Sequence, residues 1–451
     1  MDFLAAVIIF TISLFLSVIY NIQIILPLFI GLGGFIACGL YRGFKFGGIL
    51  TMMSHGMKKL SLVLQIFALI GLITGVWRSS GTIAYFVFYG TKWINPSFFI
   101  LLAFLLTCLV SFILGTSFGT FGTIGVVLMV LARSGHVDLN LAAGAIISGA
   151  YFGDRCSPTS SSANLVAALT DTRLYANVRN MFRTGNLPFI VSVLLYAVFS
   201  IKYPLTNADY GLLNDLSGNF QLSPLVILPA AVIFILILLQ VQVKWAMLFS
   251  VVTGMLVCGF VQQMNLVDVF KTLIFGYHPP ASENLAKIMS GGGLLSMVNP
   301  SLIVLIASAY SGIFEETGML FEIEACLVKL SRRITVFPTT LIASLFLAVF
   351  SCTQALTIIL TEELMDKIYK ANNLSNSQLA VDLENTAVLT AVLIPWNVAI
   401  ALPLVTLGAD RKSILYAFFL YLVPLINLLR KPKISSVSNN PLEGQEKQTM
   451  R

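Results

Sequence analysis

Nine long runs of this sequence contain no Asp, Glu, Lys or Arg, and they limit the folds open to the chain more than any other feature. The runs are 3–41, 60–77, 93–132, 216–243, 245–267, 288–314, 334–361, 385–409 and 413–429. A membrane-spanning helix needs about 17 to 25 apolar residues, and only helices or closed barrels satisfy their backbone in hydrocarbon. Because these runs are too long and continuous for barrel strands, the sequence predicts an all-α polytopic membrane protein with about ten to thirteen membrane segments.

The positions of the charged residues explain the net charge of +7 without a nucleic-acid partner. Only 10% of the 451 residues are charged, whereas soluble domains have about 25%. The basic residues flank apolar runs in two clusters, Arg42, Lys45, Lys58 and Lys59, and Arg430, Lys431 and Lys433. Since positive loops face the cytoplasm, we predict a multi-pass plasma-membrane protein in contact with the lipid bilayer, with both termini cytoplasmic.

An internal repeat organises the chain. Three landmarks of the first half recur 237 residues later. They are a Gly-x5-Gly element (Gly75 and Gly312), a polar Ser/Thr element (Thr116 and Thr353) and a proline (Pro158 and Pro395). Many transporters are built from two inverted repeats whose broken helices meet near the bilayer midplane. The sequence therefore predicts two inverted-topology repeats with broken or re-entrant helices.

The repeat divides the sequence into five predicted parts. They are an N-terminal membrane helix (1–23), a first transporter repeat (24–203), a connecting loop (204–223), a second transporter repeat (224–429) and a basic polar cytoplasmic tail (430–451).

The stretch "ISGAYFGDRCSPTSSSANL", residues 147–165, places charged residues between apolar ones. Pro158 removes a backbone donor and breaks a helix, while Gly149 and Gly153 allow close approach of a neighbour. A surface loop would also have this composition. The equivalent Pro395 lies inside an uncharged run, however, so the repeat favours a break within the membrane, where irregular backbone is tolerated only inside protein or along a cavity.

Asp154 is the first candidate for binding a cation. A carboxylate at the centre of a membrane helix costs about 2.5 to 3.5 kcal/mol, so it persists when a proton or a cation neutralises it. Na⁺ and H⁺ can then compete for one site, which is the physical basis of exchange. The alternative is a structural ion pair between Asp154 and its neighbour Arg155.

Small hard cations also bind neutral oxygens, and the sequence offers many of them at repeat-related positions. The candidates are Thr116, Ser117, Thr120, Thr123, Ser157, Ser160, Ser161, Ser162 and Asn164 in the first repeat, and Ser351, Thr353, Gln354, Thr357, Asn385, Thr386 and Asn397 in the second. For any one of them the alternative is a helix-packing role.

Arg78 and Glu315 occupy matching positions in the two Gly-x5-Gly elements. They are candidates for a structural salt bridge, and Arg78 for an arginine that snorkels at a helix end. Alternatively, the planar fork of Arg78 binds a substrate carboxylate, which would indicate an organic acid or an amino acid.

The segments "LGTSFGTFGTIGVVLM", "AAGAIISGAYFGDRCSPTSSSANL" and "LENTAVLTAVLIPWN" resemble the NhaC family of Na⁺/H⁺ antiporters, in the ion-transporter superfamily of inverted-repeat carriers. The resemblance extends over residues 5–430. It implies alternating-access exchange of Na⁺ for H⁺. Other members of the family couple malate and lactate to Na⁺ and H⁺, and amino-acid carriers have been proposed within it.

The chain departs from the family pattern at two carboxylates. Gly153, Asp154, Ser157, Pro158 and Ser160 match the first motif, but Ser161 stands where the family has an aspartate. In the second motif Glu384 matches, and Asn385 replaces another aspartate. The resemblance thus implies cation binding by Asp154, Glu384 and neutral oxygens.

We therefore predict a secondary antiporter that expels Na⁺ in exchange for H⁺, with no cofactor and no enzymatic activity. The alternative is a Na⁺- or H⁺-coupled carrier of a small carboxylate or amino acid. A channel or a membrane enzyme is disfavoured because the sequence lacks a selectivity-filter motif and a catalytic triad. A homodimer is left open.

Overall fold

The computed structural model describes residues 25–430 except 59, 94, 206–209, 240, 280–284, 287–288, 318–328, 332 and 352, together with scattered residues between 6 and 20. Over these residues the regular structure is helical, and the only pairing of extended backbone is an isolated bridge between Tyr277 and Gly291. The N-terminal helix predicted for 1–23 lies largely outside the described residues, as does the tail from 431 onward.

The first half of the chain forms ten helices within the described residues. They are α1 (Ile25–Tyr41), α2 (Phe46–Lys58), α3 (Ser61–Ser79), α4 (Thr82–Trp93), α5 (Phe99–Leu114), α6 (Ser117–Thr120), α7 (Val126–Ser134), α8 (Leu139–Cys156), α9 (Ser161–Leu169) and α10 (Leu174–Lys202). A π-helical turn, Phe121–Gly125, joins α6 to α7.

The second half continues in the same way. Its described helices are α11 (Tyr210–Asn219), α12 (Leu228–Leu238), α13 (Val243–Phe260), α14 (Leu266–Phe275), α15 (Val298–Thr317), α16 (Val336–Phe350), α17 (Gln354–Ala371), α18 (Asn376–Asn385), α19 (Ala387–Thr390), α20 (Val398–Leu407) and α21 (Phe418–Arg430). Helix α11 lies inside the segment predicted as a connecting loop. Leu216 on this helix is buried.

The helices include several that are long and apolar enough to cross a membrane. Five described helices meet this condition alone, and up to eight spans result if each of three bent helix pairs is one span. One bent pair joins Asn376–Leu393 to Val398–Leu407 at 53°. The prediction of an all-α polytopic membrane protein is confirmed.

The spacing found in the sequence recurs in the helix boundaries. Helices α3, α5, α6, α8 and α9 begin 237 residues before α15, α16, α17, α18 and α20, respectively. Since this spacing is kept without an insertion, it supports the division into two repeats. The repeat boundaries themselves remain a prediction.

Helices α5 and α8 cross with their backbones almost in contact. A Cβ added at Gly153 would lie 2.3 Å from the carbonyl carbon of Ser111 and 2.4 Å from the nitrogen of Phe112. The Ser111 hydroxyl donates to the carbonyl oxygen of Ala150 across the same crossing. This close approach holds the C-terminal part of α8, which contains Asp154, in a fixed position.

Changing Gly153 to Ala should therefore destabilise the fold. The added methyl group must push the two backbones apart, and overpacking of this kind costs about 1 to 3 kcal/mol. The matched control is Gly259→Ala on α13, where an added Cβ meets no atom within 4 Å and helix propensity favours Ala by about 1 kcal/mol. Thermal unfolding in detergent should show a lower melting temperature for Gly153→Ala only. Equal melting temperatures for the two variants would contradict the close contact.

Candidate functional site

The stretch around Asp154 is a break between two helices buried inside the protein. Helix α8 ends at Cys156, and Ser157 adopts an extended backbone. The Ser157 hydroxyl donates to the carbonyl oxygen of Phe112 at 2.7 Å, and the Ser160 side chain caps the first turn of α9. Asp154, Ser157 and Ser160 are all buried, so the interpretation as a surface loop is wrong.

A second break lies between α19 and α20, where the repeat predicts it. The Asn397 side chain caps α20 by accepting from the amide of Ala399 at 3.0 Å, just as Ser160 caps α9. Its amide nitrogen donates to the carbonyl oxygen of Ser351 at 3.0 Å. The capping residues therefore satisfy the backbone groups that the breaks release.

The Asp154 carboxyl group is surrounded by neutral polar groups from both halves of the chain. Its Oδ1 accepts a hydrogen bond from the Ser160 hydroxyl at 3.3 Å, and its Oδ2 accepts one from Gln354 Nε2 at 3.2 Å. The Ser162 hydroxyl donates to the Asp154 carbonyl oxygen at 3.0 Å, and the backbone amide of Ser117 also faces the carboxyl group. We call these five residues the Asp154 cluster.

Gln354 connects the Asp154 cluster to the second break. Besides its bond to Asp154, its Nε2 donates to the carbonyl oxygen of Val388 at 2.9 Å, and Val388 lies on α19. The side-chain oxygens of the cluster come from α8, α9 and α17 and the cap of α9, and α6 contributes the backbone amide of Ser117. Oxygens of this kind are the ligands that Na⁺ prefers.

The neighbouring Arg155 does not form an ion pair with Asp154. Successive residues on a helix point about 100° apart, and the Arg155 guanidinium extends toward α10 and α18. It donates to Asn385 Oδ1 at 2.6 Å, to the Thr184 hydroxyl at 2.8 Å and to the carbonyl oxygen of Met181 at 3.2 Å. The alternative of a structural Asp154–Arg155 pair is therefore wrong, and Asp154 has no cationic partner among the described residues.

Glu384 lies beside Arg155 and is completely buried. Arg155 Nε donates to its carbonyl oxygen at 3.3 Å, but neither carboxyl oxygen of Glu384 has a hydrogen-bond partner in the described part of the chain. The carboxyl group interacts electrostatically with both Arg155 and Asp154. We call Arg155, Thr184, Glu384 and Asn385 the Arg155 cluster.

The remaining candidate oxygens are distributed outside these clusters. Ser161 and Asn164 are exposed, and Asn164 Nδ2 donates to the Ser160 carbonyl oxygen at 2.6 Å. Thr116 and Thr353 cap α6 and α17. The hydroxyls of Thr120, Thr123, Thr357 and Thr386 each donate to a carbonyl oxygen one turn earlier, and Ser351 shares a hydrogen bond with Thr357.

Arg78, at the end of α3, is buried with 6% of its surface exposed, which contradicts snorkelling. Its Nε has no hydrogen-bond partner, and its guanidinium faces Gly291 and interacts with Arg133. The predicted partner Glu315 has its side chain outside the described residues. Within the described side chains, Arg78 thus has a cationic neighbour and no ion pair.

Sequence reasoning missed two residues that the fold places near these clusters. Thr184 donates to Asn385 Oδ1 at 3.2 Å, and Asp382 is a buried carboxylate one turn before Asn385 on α18. The position of Asp382 two residues before Glu384 was a signal in the sequence, whereas nothing in the sequence indicated Thr184.

The sequence matches the Na⁺/H⁺ antiporter family over residues 1–163 and 149–429. The chain belongs to the Na⁺/H⁺ antiporter family. One relative in this family is the Na(+)/H(+) antiporter NhaC of Alkalihalophilus pseudofirmus, 30% identical over 87% of this chain and 86% of the relative. The malate-2H(+)/Na(+)-lactate antiporter of Bacillus subtilis is 26% identical over 86% of each chain. The arginine/ornithine antiporter ArcD of Halobacterium salinarum is 27% identical over 83% of this chain and 78% of the relative.

Proposed function

We propose that this protein exchanges Na⁺ for H⁺ across the cell membrane by alternating access, with outward Na⁺ movement driven by inward H⁺ movement. The observation that carries the proposal is the Asp154 cluster, a buried carboxylate among hydroxyl and amide groups drawn from both halves of the chain. Membership of the family and the similarity to Na⁺/H⁺ antiporters support the same activity.

The charges of the two clusters favour binding of one cation at a time. The Arg155 guanidinium contributes one positive charge, whereas Asp154 and Glu384 contribute two negative charges when ionised. One Na⁺ or one H⁺ brings the group to neutrality. Because an uncompensated buried charge is costly, occupation by both is disfavoured, and the two cations must alternate.

Na⁺ and H⁺ differ in the ligands that they need at Asp154. Na⁺ requires several oxygens, and the hydroxyl oxygens of Ser160 and Ser162 lie beside Asp154. Gln354 faces Asp154 with its amide nitrogen, so its amide has to rotate to present the carbonyl oxygen to Na⁺. A proton requires only the carboxylate. Loss of the proton therefore frees both Asp154 oxygens for Na⁺, and protonation at the other side of the membrane releases Na⁺ again.

Movement of the two halves against each other would expose this site to one side at a time. Ser117, Ser160 and Ser162 belong to the first repeat and Gln354 to the second, so a relative displacement changes the contacts of Asp154 directly. The membrane potential contributes about 2.3 kcal/mol per net charge and 100 mV, and it drives exchange only if the stoichiometry is unequal.

The proposal is tested with purified protein in proteoliposomes that hold a pH gradient. Addition of Na⁺ should dissipate the gradient, and K⁺ or choline at the same concentration should not. Absence of Na⁺-dependent proton movement at every pH between 6 and 9.5 would show that the protein is not a Na⁺/H⁺ exchanger.

A second candidate function is transport of a small organic carboxylate or amino acid. It is favoured by Arg78, whose buried guanidinium has an unpartnered Nε and Arg133 as its electrostatic neighbour. The buried Arg78 and the half-buried Arg133 have no acidic partner among the described residues, and together they attract a carboxylate group. Two of the relatives, the malate-2H(+)/Na(+)-lactate antiporter and the arginine/ornithine antiporter, are named for substrates of this kind.

If this second function holds, proteoliposomes should accumulate labelled malate, lactate, arginine or ornithine. Arg78→Ala should then abolish uptake, and Arg78→Lys, which keeps the charge but not the fork, should reduce uptake by about tenfold or more. Ion exchange without uptake of any of these solutes excludes this function.

A further inference from the structure

A cavity of about 370 Å³ lies beside the second repeat, outside the two clusters described above. Its lining includes the polar residues Thr335, Asn372, Gln378, Asp382 and Asn427. Thr335 precedes α16, Asn372 follows α17, and Asn427 lies in the last turn of α21. The cavity therefore opens at one end of the helix bundle.

Charge identifies the side of the membrane to which the cavity opens. The exposed Arg333 lies two residues before Thr335, the exposed Lys370 two residues before Asn372, and Arg430, Lys431 and Lys433 follow Asn427 in the sequence. An excess of Lys and Arg next to membrane helices marks the cytoplasmic side. This end of the bundle is the predicted cytoplasmic end.

Asp382 is the carboxylate of this cavity. Its Oδ2 accepts hydrogen bonds from the Tyr369 hydroxyl at 2.8 Å and from Gln378 Nε2 at 2.9 Å. For Oδ1 no hydrogen bond is found among the described residues. Tyr369 and Gln378 thus hold the carboxylate in place and leave one oxygen toward the cavity.

Polar side chains continue from the cavity to the Arg155 cluster. Asn427 Nδ2, on the cavity wall, donates to the carbonyl oxygen of Thr184 at 3.2 Å, and Thr184 contacts both Arg155 and Asn385. Directly after α18, the Thr386 hydroxyl donates to the carbonyl oxygen of Asp382 at 2.6 Å. The cavity carboxylate is therefore one helical turn from the residues that surround the buried acids.

We infer that Asp382 is a second cation-binding carboxylate, which takes up Na⁺ from the cytoplasm in this cavity before the ion reaches Asp154. A single carboxylate in a narrow cleft raises the local concentration of cations and their association rate. The amide oxygens of Asn372, Gln378 and Asn427 replace part of the hydration shell of the ion, which lowers the cost of its entry. The inference rests on the proposed Na⁺/H⁺ exchange.

The test compares Na⁺-driven proton movement in inside-out and right-side-out vesicles. In Asp382→Asn the Na⁺ concentration for half-maximal exchange should rise about tenfold at the cytoplasmic face, by loss of the attracting charge, and stay the same at the opposite face. The matched control is Glu363→Gln, which removes the charge of an exposed carboxylate on α17 that is not part of the cavity lining, and it should leave both values unchanged. Equal half-saturation for wild type and Asp382→Asn at the cytoplasmic face overturns the inference.

A second variant keeps the test decisive if Asp382→Asn does not fold. Gln378→Cys should react with a membrane-impermeant cationic thiol reagent from the cytoplasmic face, above the background of the wild-type cysteines, and Na⁺ should slow the reaction. Labelling that Na⁺ does not slow, or no labelling at all, contradicts a cation site here. The wild-type vesicles separate the two proposals: if they show no Na⁺/H⁺ exchange, the proposed function fails, whereas normal exchange with an unaffected Asp382→Asn removes only the cavity site.

Discussion

Asp154→Asn should abolish Na⁺-dependent proton movement, with a loss of about a hundredfold or more relative to wild type. The asparagine keeps the shape of the side chain, its oxygen can accept from Gln354 Nε2, and its amide nitrogen can donate to the Ser160 hydroxyl. It carries neither the proton nor the charge that attracts Na⁺. The measurement is the rate of Na⁺-driven dissipation of a pH gradient in proteoliposomes, at several Na⁺ concentrations.

Two controls accompany this prediction. Asp154→Glu keeps the charge and should retain measurable exchange with weaker Na⁺ affinity, whereas Ser161→Ala changes an exposed residue outside the Asp154 cluster and should have little effect. Asp154→Asn should elute as a single species in detergent with an unchanged or raised melting temperature, since an amide is less costly to bury than a carboxylate. Full activity of a folded Asp154→Asn protein would exclude Asp154 as the exchange site.

Glu384→Gln should weaken Na⁺ binding by about a hundredfold, through charge alone. With Glu384 neutral, Arg155 and Asp154 already sum to zero, and a bound Na⁺ leaves a net positive charge inside the protein. Two unit charges about 6 Å apart at an effective dielectric constant of 20 interact by about 3 kcal/mol, which corresponds to about two powers of ten in affinity. The measurement is the Na⁺ concentration that gives half-maximal exchange.

A double variant separates charge from local structure. Arg155→Gln combined with Glu384→Gln restores a single negative charge at Asp154, and the glutamine can still donate to Asn385 Oδ1. The double variant should recover Na⁺ affinity to within about tenfold of wild type. Glu384→Asp, which keeps the charge, should also stay near wild type. If the double variant binds Na⁺ as weakly as Glu384→Gln, the charge count is not what sets Na⁺ affinity.

The sequence predicted the helical membrane architecture and the two breaks because their causes are local. Uncharged runs require helices in hydrocarbon, and Pro158 cannot continue a helix. The capping by Ser160 and Asn397 follows from the same local rule, since these side chains accept from amides two residues onward. The 237-residue displacement predicted from glycines, threonines and prolines also recurs in the helix boundaries.

The sequence was less informative about which candidate oxygens meet. Of the serines after Pro158, Ser160 and Ser162 contact Asp154, while Ser161 between them is exposed. The direction of each side chain depends on where α9 begins and on how it packs, and composition records neither. The same limit applies to Arg155, which lies next to Asp154 in the chain but points toward Asn385.

The sequence alone predicted that Asp154 lies at a break between helices, because chain breaking follows from residue type and order and the repeat favours a break within the membrane. Only the tertiary structure decided which groups surround it. Gln354 contacts Asp154 from 200 positions away, and Asn385 meets Arg155 from 230 positions away. Asp382 lines a cavity bounded by the ends of α16, α17 and α21. Such contacts depend on the packing of the whole bundle, which no local pattern of residues specifies.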